Sequence, residues 1–147
     1  MTPLSYRPAL TPFAVAIVLL MGACTTPGTV RTGDRNALAC TLPSNCVDSL
    51  GTNGPAPLTY RGTPEQALAR LEATLKTFAE AQVVRREALA VQAIFTTPLG
   101  FRDQVDFQID PAAERIDFRS RSLIGLFDFG KNRSRMQEFA LRFQAPA

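Results

Sequence analysis

Two segments of strict alternation, Val105-Asp106-Phe107-Gln108-Ile109-Asp110 and Arg115-Ile116-Asp117-Phe118-Arg119, constrain the fold more than any other part of the chain. Successive side chains of a strand point to opposite faces, so apolar residues at every second position require a sheet with one packed face. Pro111-Ala112-Ala113-Glu114 between them has the length of a hairpin loop. Closing it with Asp110 opposite Arg115 sets Phe107 against Phe118 on the packed side. On the other side Gln108 meets Asp117, Asp106 meets Arg119 and Gln104 meets Arg121. A slip of one residue would turn the phenylalanines and isoleucines into water, so the pattern itself sets the register. The polar face is expected to be solvated.

The flanking segments supply two helices and two more strands. Thr63-Pro64-Glu65-Gln66 places a capping threonine, a proline at the first helical position and a glutamine that completes a capping box. Leu68, Leu71, Leu75 and Phe78 continue at helical spacing, which predicts a helix to about Glu80. Gln82 to Arg86 reads as a short strand, and Leu89 to Thr97, apolar on both faces, as a central one. A second helix over about 132–143 presents Met136, Phe139, Ala140 and Phe143. Residues 47–62 are rich in turn formers and are expected to wrap the surface. The result is an α+β domain, a small antiparallel β-meander with two helices packed on one face.

The N-terminus reads as an address. Nine unbroken apolar residues, Phe13 to Met21, are too few for a bilayer span, which needs about 20, but suit a signal-peptide core. They end in Leu20-Met21-Gly22-Ala23-Cys24, which resembles a bacterial lipobox. Residues 1–23 are then a lipoprotein signal peptide, Cys24 carries the lipid and 24–39 form a flexible tether to a domain over 40–147. An ordinary secretory peptide, or a short anchor with an incidental cysteine, is the competing reading. Met21 fits ordinary cleavage poorly, because that prefers a small residue three positions before the cut. More than one acyl chain is needed for stable anchoring. Thr25 at the second mature position, where aspartate would retain the protein at the inner membrane under enteric-type sorting, favours the outer membrane. With Cys24 assigned to lipid, Cys40 and Cys46 are left as a disulfide pair in an oxidising compartment. Zinc is the alternative, but two cysteines without histidine do not fill a tetrahedral site.

The 147 residues hold sixteen lysines and arginines against thirteen acids, and no histidine. The missing imidazole removes Ser-His and Cys-His catalysis and the usual base near neutral pH. The basic excess is too small and too local for a nucleic-acid binder. It gathers in RSRSLIGLFDFGKNRSR, residues 119–135, where Arg119, Arg121, Lys131, Arg133 and Arg135 surround Asp128 alone. Cations in the first turn of a helix oppose its dipole at a cost of about 0.3–1 kcal/mol each. An anion held by Arg119, Arg121, Asn132, Arg133 and Arg135 would compensate. Internal ion pairs with Asp103, Asp106 or Asp128 would do so equally. In that case Asp128 or Asn132 caps the helix, Ser120 and Ser122 bond backbone on the core side, and Gly125 and Gly130 shape the turns.

CTLPSNCVDS, FRDQVDFQID and IDFRSRSLIGLFDFGKNRSRM together resemble the bacterial and plastid family catalogued as domain of unknown function 1499, over residues 40–143. Asn45, Cys46 and Val47 match one hallmark element. Phe101, Asp103, Val105 and Phe107 match a second. Arg119, Ser120, Ser122, Gly125, Asp128, Gly130, Asn132 and Arg133 match the third. Ser44 stands where the family usually has proline. Ala90-Val91-Gln92-Ala93 stands where many members carry an aromatic residue and a histidine. The resemblance implies this fold and outlines a site, without supplying an activity.

The expected function is therefore that of a cell-envelope lipoprotein, membrane-bound by acyl chains and facing the periplasm, that binds an anionic lipid, glycan or protein partner. No metal or other cofactor is expected. The alternative is a structural or interaction lipoprotein whose arginines are internally paired. An enzyme ranks third, since Asp103 and Asp106, three apart on a strand, point to opposite faces and no catalytic constellation is recognisable.

Overall fold

The structure is a computed structural model that describes residues 33–51 and 54–146. The expected signal peptide, the Cys24 acylation site and the tether as far as residue 32 lie outside the described residues. Among those described, the elements run β1 (Cys46–Asp48), β2 (Leu58–Thr59), α1 (Pro64–Leu75), β3 (Ala81–Glu87), β4 (Ala90–Thr96), β5 (Arg102–Asp110), β6 (Arg115–Ser122) and α2 (Lys131–Gln144). The sheet is antiparallel in the order β1-β6-β5-β4-β3, and β2 also pairs with β6. This is the α+β meander with two helices on one face that the sequence predicts.

The β5–β6 hairpin adopts the expected register: Asp110 opposes Arg115, Phe107 opposes Phe118, and Asp106 opposes Arg119. Its loop is closed by the Asp110 carboxylate, which accepts from the backbone N–H groups of Ala112 and Ala113. Phe107, Ile109, Ile116 and Phe118 are buried under Leu68, Leu71 and Leu75 of α1 and Met136, Phe139 and Phe143 of α2. Helix α1 begins as its capping box dictates, with Thr63 Oγ1 accepting from Gln66 N and Gln66 Oε1 accepting from Thr63 N.

The same helix stops at Leu75 rather than near Glu80. The Thr77 hydroxyl donates to the Thr74 carbonyl and Phe78 N–H to that of Leu75, which tightens the exit into a turn. Phe78 thereby drops between Phe95 and Phe139, with both ring centroids 5.6 Å away. An edge-to-face partner on one side and a stacked one on the other favour that turn over another helical one.

Residues 47–62 do more than wrap the surface. They hold most of β1 and all of β2, strands of three and two residues that are too short to show a period, and both lie along β6.

The polar face of the hairpin is also not solvated. Gln104, Asp106, Gln108 and Asp117 are buried. Residues 34–39, expected as the end of the tether, lie across that face as a short 3-10 turn, Arg35–Leu38, with Leu38 fully buried. Polar groups removed from water need partners, and this segment provides them. Arg35 Nε donates to Asp117 Oδ2 at 2.9 Å, Gln108 Nε2 to the Asp34 carbonyl and Arg119 Nη1 to the Ala37 carbonyl. Cys40 and Cys46 form the expected disulfide at the end of this segment.

Candidate functional site

On the helix side of the sheet, the basic stretch is tied into the fold through Asn132. Gly130 enters α2 at φ 78°, and the cap is supplied two residues earlier by Asp128. Its Oδ1 accepts from Gly130 N at 2.9 Å and its Oδ2 from Asn132 N at 2.8 Å. This settles which of Asp128 and Asn132 caps the helix. Asn132 is completely buried instead, and its four polar contacts cross the domain. Its Oδ1 accepts from Ser120 Oγ at 2.6 Å and Arg135 Nη1 at 2.9 Å, while its Nδ2 donates to the Asn45 carbonyl and Ser122 Oγ. Ser120 and Ser122 thus bond a side chain, where bonds to backbone were expected. Arg135, 5% exposed, donates from Nη2 to Asp103 Oδ2 at 2.5 Å and stacks its guanidinium 4.8 Å from the Phe95 ring centroid. Asn132, Arg135, Met136, Phe139 and Phe143 share the buried side of α2.

The opposite side of the sheet holds a different arrangement. Arg119 and Arg121 are adjacent outward positions of β6. The nearest carboxylate, Asp106, accepts from Arg119 Nη2 at 2.7 Å and from the amides of Gln92 and Gln104. Arg121 Nη2 donates to the neutral Gln104 Oε1 at 3.2 Å. The Nε atoms of Arg119 and Arg121 are both buried without a hydrogen-bond partner. Burial first, and then the Arg119 charge, lower the Arg121 pKa from its ordinary value, with Asp106 opposing. Two guanidinium groups thus share one carboxylate, in a setting that penalises the second cation.

These arginines line a cavity of about 260 Å³ between two loops. The disulfide loop contributes Thr41, Leu42 and Asn45, and the segment after β6 contributes Gly125 and Leu126. The loops are stitched together by Ser44 Oγ donating to the Leu126 carbonyl at 2.5 Å and Asn45 Nδ2 to that of Gly125 at 2.6 Å. Gly125 takes φ 91°, a left-handed conformation that side chains resist, and this brings its carbonyl to Asn45.

The five residues proposed from sequence therefore fall into separate places. Arg119 and Arg121 meet at the cavity. Asn132 and Arg135 lie beneath the sheet, and Arg133 is exposed on α2. Asp103 and Asp106 face opposite sides and each holds an arginine. Gln104, Leu42 and Leu126 were missed from sequence. Gln104 was legible from its register opposite Arg121, whereas the two leucines give no signal outside the fold. A larger concavity of about 660 Å³, at the far end beside Tyr60, Arg61 and Arg70, has its Arg70 already held by the carbonyls of Phe143 and Ala145. Among the described residues no group of three or more Cys, Asp or Glu could hold a metal ion.

No curated protein and no solved structure matches the chain. One family does, described as a protein of unknown function (DUF1499), and it aligns with residues 38–143. That span takes in the disulfide, the whole sheet, Asn132 with its partners and the Arg119–Arg121 cavity. The chain belongs to the DUF1499 family.

Proposed function

We propose that this protein is a cell-envelope lipoprotein that binds an anionic group in the cavity lined by Arg119 and Arg121. The observation that carries this reading is Arg121. It is a partly buried guanidinium with a neutral acceptor, a buried unpartnered Nε and a second arginine alongside. A phosphate or carboxylate would supply the missing charge and take up the planar fork that arginine presents. Burial strengthens such a contact, because the local dielectric is low. A purely structural role suits Arg135 better, since Asp103 and Asn132 already satisfy it.

The test is thermal unfolding against phosphate, sugar phosphates, lipid headgroup analogues and peptidoglycan fragments, for the parent and for Arg121→Gln. A ligand at a hundred times its dissociation constant stabilises by about 2.7 kcal/mol, a rise of several degrees. The variant should keep the parent's melting temperature without ligand and lose the rise with it. A rise retained in Arg121→Gln, or no rise with any anion, would remove the cavity as the site.

A further inference from the structure

The chain between β6 and α2 ends the sheet with a cluster of apolar side chains that the fold leaves in solvent. Ile124, Leu126 and Phe127 are exposed and Phe129 is fully so, at 100%. Beside them the β4–β5 turn exposes Leu99 and Phe101. Phe101, Ile124, Phe127 and Phe129 line one concavity of about 250 Å³, so the two loops form a single patch. Phe129 is held at φ 52°, a left-handed conformation uncommon for any residue but glycine. A soluble surface gains nothing from projecting an unpartnered phenylalanine out of such a backbone, and exposed apolar patches of this kind mark interaction sites.

We propose that these two loops dock the domain onto a phospholipid bilayer, with Phe127 and Phe129 entering the boundary between headgroups and acyl chains. Three observations select a bilayer as the occupant. The apolar residues sit on two adjacent loops, with Phe127 67% and Phe129 100% exposed, an arrangement able to enter a soft interface. The exposed charges of the two loops and their flanks are mainly basic, Arg102, Lys131 and Arg133 against Glu80, while the acids of the loops themselves are held, Asp103 by Arg135 and Asp128 by backbone amides. That sign complements anionic headgroups. Chain length also fits. Asp34 is fixed by Gln108, six residues and so about 20 Å along β5 from the patch end at Arg102. The nine residues from Thr25 to Gly33 span up to about 30 Å when extended, which lets an acyl anchor at Cys24 and the apolar loops reach one surface together. The proposal stands on the apolar loops and does not require the anion site. Since Gly125 and Leu126 also border the Arg119–Arg121 cavity, docking would set that cavity at headgroup depth.

The chain contains no tryptophan, so Phe129→Trp introduces a single indole at an exposed position. The full chain carrying it is reconstituted into vesicles of phosphatidylcholine and phosphatidylglycerol, with or without brominated acyl chains. Leu141→Trp, also exposed and about 18 Å along α2 from position 129, is the reference. The Phe129→Trp indole should emit at shorter wavelength, be protected from iodide and be quenched by brominated lipid severalfold more than the Leu141→Trp indole. Lys131→Glu added to Phe129→Trp should weaken the quenching in vesicles containing phosphatidylglycerol and leave it unchanged in phosphatidylcholine alone. Equal iodide access at both positions would overturn the proposal. Protection from iodide without quenching by brominated lipid would overturn it too, because the loops would then face protein. Failure here leaves the Arg121→Gln result untouched, and the reverse holds.

Discussion

Breaking the Asp103–Arg135 pair tests what the basic stretch contributes to the fold. In Asp103→Leu the Arg135 guanidinium keeps its place under the sheet but loses its only carboxylate. In Arg135→Met the Asp103 carboxylate, 4% exposed, is stranded instead. Removing one member of a buried pair costs about 3–5 kcal/mol, because the partner's desolvation is no longer compensated. With an unfolding entropy of about 2.1 cal/mol/K per residue, a domain of this size loses about 4 °C for each kcal/mol, so either variant should melt about 12–20 °C early. The double variant Asp103→Leu, Arg135→Met leaves neither member of this pair stranded and should recover at least half of that loss. Melting is followed by circular dichroism, with urea unfolding as a check that cooperativity is kept. A single variant within 3 °C of the parent, or a double variant no better than the worse single, would refute the reasoning.

Two further variants probe the far end of the domain and the disulfide loop. The buried Tyr60 hydroxyl has no hydrogen-bond partner, so Tyr60→Phe should be neutral or stabilising by up to about 1 kcal/mol in urea titration. Burial, followed by Glu114, Asp110 and Glu65, raises the Tyr60 pKa above 10.0. The neutral phenol is therefore favoured in the folded chain, its contribution holds below pH 10.0 and is lost as pH rises beyond it, and Tyr60→Phe should flatten that alkaline decline. Cys40→Ala with Cys46→Ala opens a loop six residues apart and should cost about 2 kcal/mol, read as an earlier melting midpoint. Because that loop walls the cavity, the same pair of substitutions should also weaken any anion-dependent rise.

The sheet was legible where side chains themselves carry its period. Phe107 and Phe118 could occupy only one face, which fixed the hairpin register, and Thr63 with Gln66 announced the start of α1. Burial of the polar face was not legible, because its cover comes from residues 34–39, some seventy positions before Gln108. Nothing local to Asp106 or Asp117 distinguishes a covered carboxylate from a wet one. Arg135 shows the same limit in the helix. Its spacing from Asn132, Met136 and Phe139 puts it on the buried side, a signal present in the sequence, but the acid that permits it to be there belongs to β5. Arg121 and its neutral partner Gln104 were both legible from the hairpin register, whereas the disulfide loop and the segment after β6 that enclose the guanidinium beside Arg119 were not.

The contacts of residues 34–60 set an order of assembly. This segment is synthesised before the strand it pairs with, since Val47 lies against Ser120 and Leu58 against Ile116. Asn45 waits still longer for the Asn132 amide. Pairings so distant in sequence form slowly, whereas the β5–β6 hairpin and the helices draw on nearby residues. The Cys40–Cys46 ring depends on neither, so it can close on the emerging chain before any strand exists. A small preformed ring can then join a sheet whose β5–β6 hairpin is already paired. A chain oxidised late must order the segment that covers the polar face without the ring, at a cost of about 2 kcal/mol.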